Sequence, residues 1–140
     1  MQASRVARKE IVLHGVAASG LGKAGHFTQL AWVQRQLADK LGMRPWPGTF
    51  NVRVTDGPDR VRWAKLLEGG GVEITLPSAA SCAARCYRAN VNGRIAGAII
   101  VPDVPGYPAD QIEILAEQCI RTELHLADGD PVTLRVDDEG

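Results

Sequence analysis

Alternation of apolar and polar residues, with a period of two, is the dominant pattern of this chain. It is clear over residues 10–18, 49–54, 72–76, 111–116 and 131–136, and side chains that alternate in this way are typical of β-strands with one buried face. Asn92-Gly93 separates two further apolar stretches, 85–91 and 94–101, and this dipeptide favours the type I′ turn of a tight hairpin. The pattern predicts about six strands.

A helical period occurs in only a few short stretches. Leu30, Val33, Leu37 and Leu41 share one helix face, and Gly42 follows as a candidate C-terminal cap. Residues 58–68 and 117–126 predict two further short helices. Because strands and helices do not alternate, we expect a mainly β fold: a closed or nearly closed barrel with two or three short helices. One domain should span residues 1–140, with 1–9 and 137–140 as frayed tails.

Composition narrows the possible partners. The chain has 140 residues with 16 basic and 16 acidic side chains, and a balanced charge argues against a nucleic-acid-binding face. No apolar run approaches the roughly 20 residues of a membrane span. The three cysteines form no C-x-x-C pair, so a reducing compartment fits best. We expect a cytoplasmic monomer that binds neither nucleic acid nor membrane.

The segment Arg44-Pro-Trp-Pro-Gly-Thr-Phe-Asn-Val52 carries the first candidate site. Its prolines favour an extended approach, and Gly48 allows a tight entry into the strand that follows. Alternation places Thr49 and Asn51 on one face of that strand. A hydroxyl and an amide oxygen side by side are plausible neutral ligands for Mg²⁺. The alternative is a strand with an ordinary polar outer face.

Residues 19–27, Ser-Gly-Leu-Gly-Lys-Ala-Gly-His-Phe, form a glycine-rich loop after the first strand. Backbone N–H groups of such a loop can approach an anion closely, and Lys23 adds a positive charge. The G-x-G-x-x-G spacing is present, but without the βαβ context of a dinucleotide-binding fold. A plain flexible turn is the alternative interpretation.

Five blocks, in this order, resemble the archaeal-type CTP-dependent riboflavin kinases. They are the glycine-rich loop (19–27), Leu-Gly-Met-Arg-Pro-Trp-Pro-Gly-Thr-Phe-Asn-Val (41–52), Gly-Ala-Ile-Ile-Val-Pro (97–102), Ile-Glu-Ile-Leu-Ala (112–116) and Leu-Ala-Asp-Gly-Asp-Pro-Val (126–132). The resemblance covers nearly the whole chain, from about Ile11 to Val136. It implies a small six-stranded β-barrel of the cradle-loop kind.

The resemblance also implies roles for individual residues. The metal ligands would be Thr49 and Asn51, holding Mg²⁺. The flavin would contact Glu113 and, where the family has a threonine, the region of Gly106. Glu113 is also the candidate for a general base, although a solvated strand glutamate is the alternative. The nucleotide would be bound by two segments, made of Gly20, Leu21, Gly22, Lys23, Ala24 and Gly25, and of Gln118, Cys119, Ile120 and Arg121.

The implied reaction is transfer of the γ-phosphate of CTP to the 5′-hydroxyl of riboflavin, giving FMN and CDP. Such chemistry requires positioning and charge neutralisation from the protein. Two other functions stay open at this point. One is a barrel that binds a flavin or nucleotide as a sensor without transferring phosphate, and the other is a kinase of the same scaffold that acts on a different small alcohol.

Overall fold

The structure is a computed structural model that describes residues 10–19, 24–78 and 81–137. Its seven strands are β1 (Glu10–Ala18), β2 (Phe50–Val54), β3 (Val72–Thr75), β4 (Cys82–Val91), β5 (Ile95–Pro102), β6 (Gln111–Leu115) and β7 (Pro131–Asp137). Its helices are α1 (Ala31–Leu41), α2 (Gly57–Leu66) and α3 (Ile120–Glu123), and a short 3₁₀ helix, Phe27–Gln29, precedes α1. No helix in these three ranges is long and apolar enough to cross a membrane.

Six of the strands close into a ring. The hydrogen-bonded order is β3-β4-β5-β6-β2-β1-β7, and β7 also pairs with the second half of β4. All pairs are antiparallel. The predicted six-stranded barrel is therefore confirmed, and β3 is an additional strand attached to the first half of β4.

Two apolar clusters lie on opposite sides of the barrel wall. The inner cluster fills the ring and includes Leu13, Val52, Ile99, Ile112 and Leu134, all at most 1% exposed. The outer cluster lies beneath α1, whose Val33, Leu37 and Leu41 pack with residues of β3, β4, β5 and β6. Strand β6 contributes to both clusters because its side chains alternate between them, with Ile112 and Ile114 inside and Leu115 outside.

Turn and cap chemistry from the sequence is found where it was expected. Asn92 and Gly93 have φ values of 54° and 69°, as a type I′ turn between β4 and β5 requires. Gly42 ends α1 in the left-handed conformation with φ of 65°. Its N–H donates to the carbonyl of Ala38 at 3.0 Å, and the N–H of Met43 donates to the carbonyl of Leu37 at 3.2 Å. Gly48, with φ of 90°, provides the bend before β2.

Two sequence predictions need correction. Only Ile120–Glu123 of the predicted helix 117–126 is helical. The chain before it runs instead beside the segment ahead of β2, where the N–H of Trp46 donates to the carbonyl of Ala116 and the N–H of Arg44 donates to Glu117. Asp137 belongs to β7 rather than to a frayed tail, since it pairs with Glu10. The remainder of the predicted tails lies outside the described residues.

The free edge of β3 is covered by side chains of α1. The Gln36 amide accepts from the N–H of Thr75 and donates to its carbonyl, both at 2.9 Å, as a neighbouring strand would. Lys40 Nζ donates to the carbonyl of Glu73 at 2.6 Å. Because an open strand edge invites pairing with other chains, these contacts protect the strand that lies outside the ring.

Candidate active site

A cleft of about 200 Å³ opens where the end of β1, the start of β2 and the segment before α3 meet. It brings together two groups of residues that are far apart in the sequence. One wall is formed by Trp46–Asn51 and the other by Gln118–Arg121, with Ala18, Ser19, Ile114 and Ala116 completing the lining. The predicted metal pair and the second predicted nucleotide segment therefore share one cleft.

Strand register places Asn51 at the centre of this region. Asn51 pairs with Ala18 of β1 on one side and with Glu113 of β6 on the other. Phe50 and Val52 point into the inner cluster, so Asn51 lies on the outer face, as the alternation predicted. Its side chain is 7% exposed, and its Oδ1 is 3.5 Å from the Gln111 amide, at the limit of a hydrogen bond.

Glu113 is the most enclosed polar residue of the site, with 0% of its surface exposed. Its carboxylate accepts hydrogen bonds from three donors. The N–H of Ala24 donates to both oxygens, at 3.0 and 3.1 Å, the hydroxyl of Thr49 donates to Oε1 at 2.8 Å, and the hydroxyl of Tyr107 donates to Oε2 at 2.5 Å. This burial contradicts the alternative that Glu113 is an ordinary solvated strand residue. The same carboxylate joins the end of the glycine-rich loop, the metal-ligand candidate and the segment before β6.

Tyr107 is a residue whose role the sequence did not reveal. Burial, the hydrogen bond to Glu113 and the charge of that carboxylate all raise the pKa of the Tyr107 phenol well above its usual value. The phenol therefore keeps its proton and acts as the donor to Glu113. A tyrosine six residues before a strand glutamate carries no signal of this contact, because the intervening turn sets the distance.

Arg121 is fixed at the cleft by several groups. Its guanidinium donates to the carbonyls of Ala18 and Leu126, at 3.0 and 3.2 Å, and forms an ion pair with Asp128 at 2.9 Å. The guanidinium carbon also lies 5.8 Å from the centre of the Phe50 ring. The side chain is still 36% exposed, so a positive charge is held in place on the cleft wall.

One carboxyl group and one thiol near Arg121 have lowered pKa values. A hydrogen bond from Ser19 and the nearby guanidinium lower the pKa of Asp128, so this carboxylate stays ionised and keeps Arg121 oriented. Hydrogen bonds from Thr122, first from its side chain and then from its backbone, lower the pKa of the Cys119 thiol. Gln118 and Ile120 complete this wall of the cleft.

The predicted glycine-rich loop is described only in part. Gly20, Leu21, Gly22 and Lys23 lie outside the described residues. Ala24 is fully buried in the outer cluster and Gly25 follows it in a turn. Neither lines the cleft; Ala24 connects to it through Glu113.

Gly106 lies in an exposed turn with φ of 78°, directly before Tyr107. It does not line the cleft, and neither does Glu113. The cleft thus brings together the two metal candidates and the second nucleotide segment, Gln118–Arg121, whereas the two flavin candidates do not line it.

The donor set at the cleft suits a hard divalent cation. The hydroxyl proton of Thr49 is directed at Glu113, so the oxygen lone pairs are free to accept from another direction. Asn51 supplies an amide oxygen whose one hydrogen-bond contact within residues 10–19, 24–78 and 81–137 is long, at 3.5 Å. Two neutral oxygens backed by a buried carboxylate fit Mg²⁺, which prefers oxygen ligands and shares them with phosphate groups.

Comparison with known proteins identifies the family. Residues 17–136 match the family model CTP-dep_RFKase, whose description is "Domain of unknown function DUF120". A riboflavin kinase of Halobacterium salinarum is 37% identical, with 91% of this chain and 58% of the relative covered, and one of Methanosarcina acetivorans is 34% identical, with 91% and 54% covered. A riboflavin kinase of Aeropyrum pernix is 31% identical, with 89% and 95% covered.

The length of the match differs among these relatives. The chain spans a little under three fifths of the first two and nearly all of the third. The family model covers most of the chain, and the barrel agrees with the fold that the sequence motifs implied. The chain belongs to the CTP-dependent riboflavin kinase family.

Proposed function

We propose that this chain transfers the γ-phosphate of CTP to the 5′-hydroxyl of riboflavin, giving FMN and CDP. The observation that carries the proposal is the single cleft in which Thr49 and Asn51 face Gln118–Arg121. A metal-ligand pair and a cationic nucleotide segment on opposite walls are what phosphoryl transfer requires. The names of the relatives and the family model agree with this reaction.

Thr49 and Asn51 would hold Mg²⁺ on one strand face. When bound, the ion would neutralise phosphate charge and orient the phosphates. The protein contributes the rigidity of the pair: Asn51 is fixed by strand pairs on both sides and Thr49 by its bond to Glu113. Positioning of this kind accounts for much of enzymatic phosphoryl transfer.

Arg121 would bind the phosphates of the nucleotide as a preorganised charge. Two carbonyls and Asp128 hold its guanidinium, so little side-chain entropy is lost when an anion binds. Ser19 holds Asp128 in turn, through a hydrogen bond of 2.6 Å. Gln118, Cys119 and Ile120 would form the rest of the nucleotide wall, and Gly20, Leu21, Gly22, Lys23, Ala24 and Gly25 stay the other predicted nucleotide segment.

The acceptor would bind beside the cleft, near Gly106 and Glu113. In the conformation described here the Glu113 carboxylate has no exposed surface, and Tyr107 covers it. A direct contact between the flavin and Glu113 would therefore require Tyr107 to move.

The test is an incubation of the purified chain with riboflavin, Mg²⁺ and each of the four nucleoside triphosphates in turn, with FMN separated by chromatography. We expect FMN with CTP in amounts well above those with the other three, and none when the divalent cation is chelated. If riboflavin binds but no triphosphate yields FMN, the sensor function replaces this proposal. Phosphorylation of another alcohol would instead identify a different acceptor.

A further inference from the structure

The carboxylate of Glu113 has no positive partner among residues 10–19, 24–78 and 81–137. No ion pair involves it, and its three contacts are all neutral donors: one backbone N–H and two hydroxyls. A buried charge is strongly unfavourable unless it is paired or coordinates a metal. Within the part of the chain that the structure describes, the arrangement at Glu113 thus satisfies its hydrogen-bonding capacity without a compensating positive charge.

The direction of the hydrogen bonds shows which neighbour can transmit the effect of the Glu113 charge to the cleft. The Tyr107 phenol holds its proton and points it at Oε2, so Tyr107 cannot bring in a cation. The N–H of Ala24 can only donate. Thr49 is different, because its hydroxyl donates to Oε1 while its oxygen lies on the cleft.

We propose that Glu113 is a positioning residue for the divalent cation, acting through the Thr49 hydroxyl. The inference rests on the proposed function, since it assumes that Thr49 is a metal ligand. Because Glu113 accepts a hydrogen bond from the Thr49 hydroxyl, the Thr49 oxygen becomes a better electron donor and its lone pairs turn toward the cleft. The negative charge directly behind that oxygen also favours a cation in front of it. Groups that support a metal ligand from behind in this way commonly change metal affinity by about 10- to 100-fold.

This role explains why an acid, rather than an amide, is buried here. Glutamine could accept from Ala24 and Thr49 and could pair with the Tyr107 hydroxyl after a reversal of that bond. Hydrogen bonding alone therefore does not require a carboxylate at position 113. The charge is required only if something at the cleft carries the opposite sign.

The experiment measures how much Mg²⁺ tightens the binding of CDP. Calorimetric Kd values for CDP are determined with Mg²⁺ and with a chelator, and their ratio is the coupling factor between cation and nucleotide. In Glu113→Gln we expect this factor to fall about 10-fold or more, while the Kd for CDP without metal stays close to that of the parent. The metal-free variant should melt at or above the temperature of the parent, because an uncompensated buried charge has been removed.

Thr49→Val supplies the matched control. In that background the hydroxyl through which Glu113 acts is absent, so adding Glu113→Gln should lower the coupling factor no further; two independent effects would multiply instead. An unchanged coupling factor in folded Glu113→Gln, or full additivity in the double variant, overturns the inference. A parent protein whose CDP binding does not respond to Mg²⁺ refutes the proposed metal site itself, a result that the parent measurement alone identifies.

Discussion

Replacing Asn51 by leucine should abolish most of the turnover while leaving the fold nearly unchanged. Leucine matches the volume of asparagine but lacks the amide oxygen. Among the described residues, Oδ1 has one hydrogen-bond contact, 3.5 Å from the Gln111 amide, and a contact of that length contributes little. We expect the free energy of unfolding to change by less than about 1 kcal/mol, because leucine keeps the buried volume and replaces only a weakly bonded amide. Loss of one charge-stabilising group in an active site typically lowers turnover by about 10²-fold or more.

Thr49→Val should lower both the stability of the fold and the turnover. Its hydroxyl donates to the buried Glu113 carboxylate at 2.8 Å, and a hydrogen bond to a charged group contributes about 2 kcal/mol. At roughly 4 °C per kcal/mol for a domain of this size, the melting temperature should fall by about 8 °C. Turnover per folded molecule should fall about as far as in Asn51→Leu.

Both variants are assayed for FMN formation at saturating CTP over a range of Mg²⁺ concentrations, and their unfolding is followed by calorimetry. The reasoning fails if Asn51→Leu retains Mg²⁺-dependent turnover within a few-fold of the parent. It also fails if Asn51→Leu loses more stability than Thr49→Val, because the hydrogen-bond geometry would then be a poor guide to the energetics of the cleft.

Three further predictions follow from other contacts. Arg121→Met should weaken CDP binding by at least about 10-fold, the effect expected when a hydrogen-bonded charge is lost, whereas Arg135→Met on the exposed face of β7 should not; equal affinities for CDP would remove Arg121 from the site. Burial raises the pKa of Asp59, but hydrogen bonds from His14 and nearby positive charge outweigh this effect, so the pKa lies below the usual 3.8. The stability that Asp59 contributes is therefore complete above pH 3.8 and declines as the pH falls further. If Asp59→Asn loses stability in parallel with the parent over this range, the assignment is contradicted. Gly97→Ala should destabilise the barrel by about 1–3 kcal/mol in urea unfolding, because its Cβ would lie 2.5 Å from a backbone oxygen of β6; unchanged stability would mean that the two strands can separate without cost.

The fold was predictable where local chemistry and pattern act together. Alternation indicated β2 and β6 with the correct inward faces, and Asn92-Gly93 and Gly42 indicated a turn and a helix end that are both present. The ring closure was expected only as an architecture, because the pairing of β4 with β7 joins segments far apart in the chain. The failure at 117–126 has a physical cause. The N–H of Trp46 donates to the carbonyl of Ala116 and the N–H of Arg44 donates to the Glu117 side chain, so the start of that stretch is held beside the segment before β2. A single-sequence pattern does not include such partners.

The candidate site was also predictable from the sequence only in part. Thr49, Asn51 and Arg121 were expected from motifs and do line one cleft. The roles of Tyr107 and Ala24 at the Glu113 carboxylate were not expected, because both contacts depend on how loops fold over β6. Burial of Glu113 could not be inferred from alternation alone, which assigned it to the outer face without showing that the outer face is covered.

Strand register connects the stability of the barrel to the chemistry of the cleft. Ala18, Asn51 and Glu113 lie in one row across three neighbouring strands, and the residues on either side of Asn51 fill the inner cluster. A slip of one residue in β2 would bury Asn51 in the core and expose Phe50 and Val52. The apolar interior therefore disfavours a one-residue slip, which would turn Asn51 away from the cleft. Because the apolar neighbours of Asn51 fix the register, its amide need not stabilise the fold and can serve to bind the ligand. Variants of Asn51 should therefore affect turnover far more than folding.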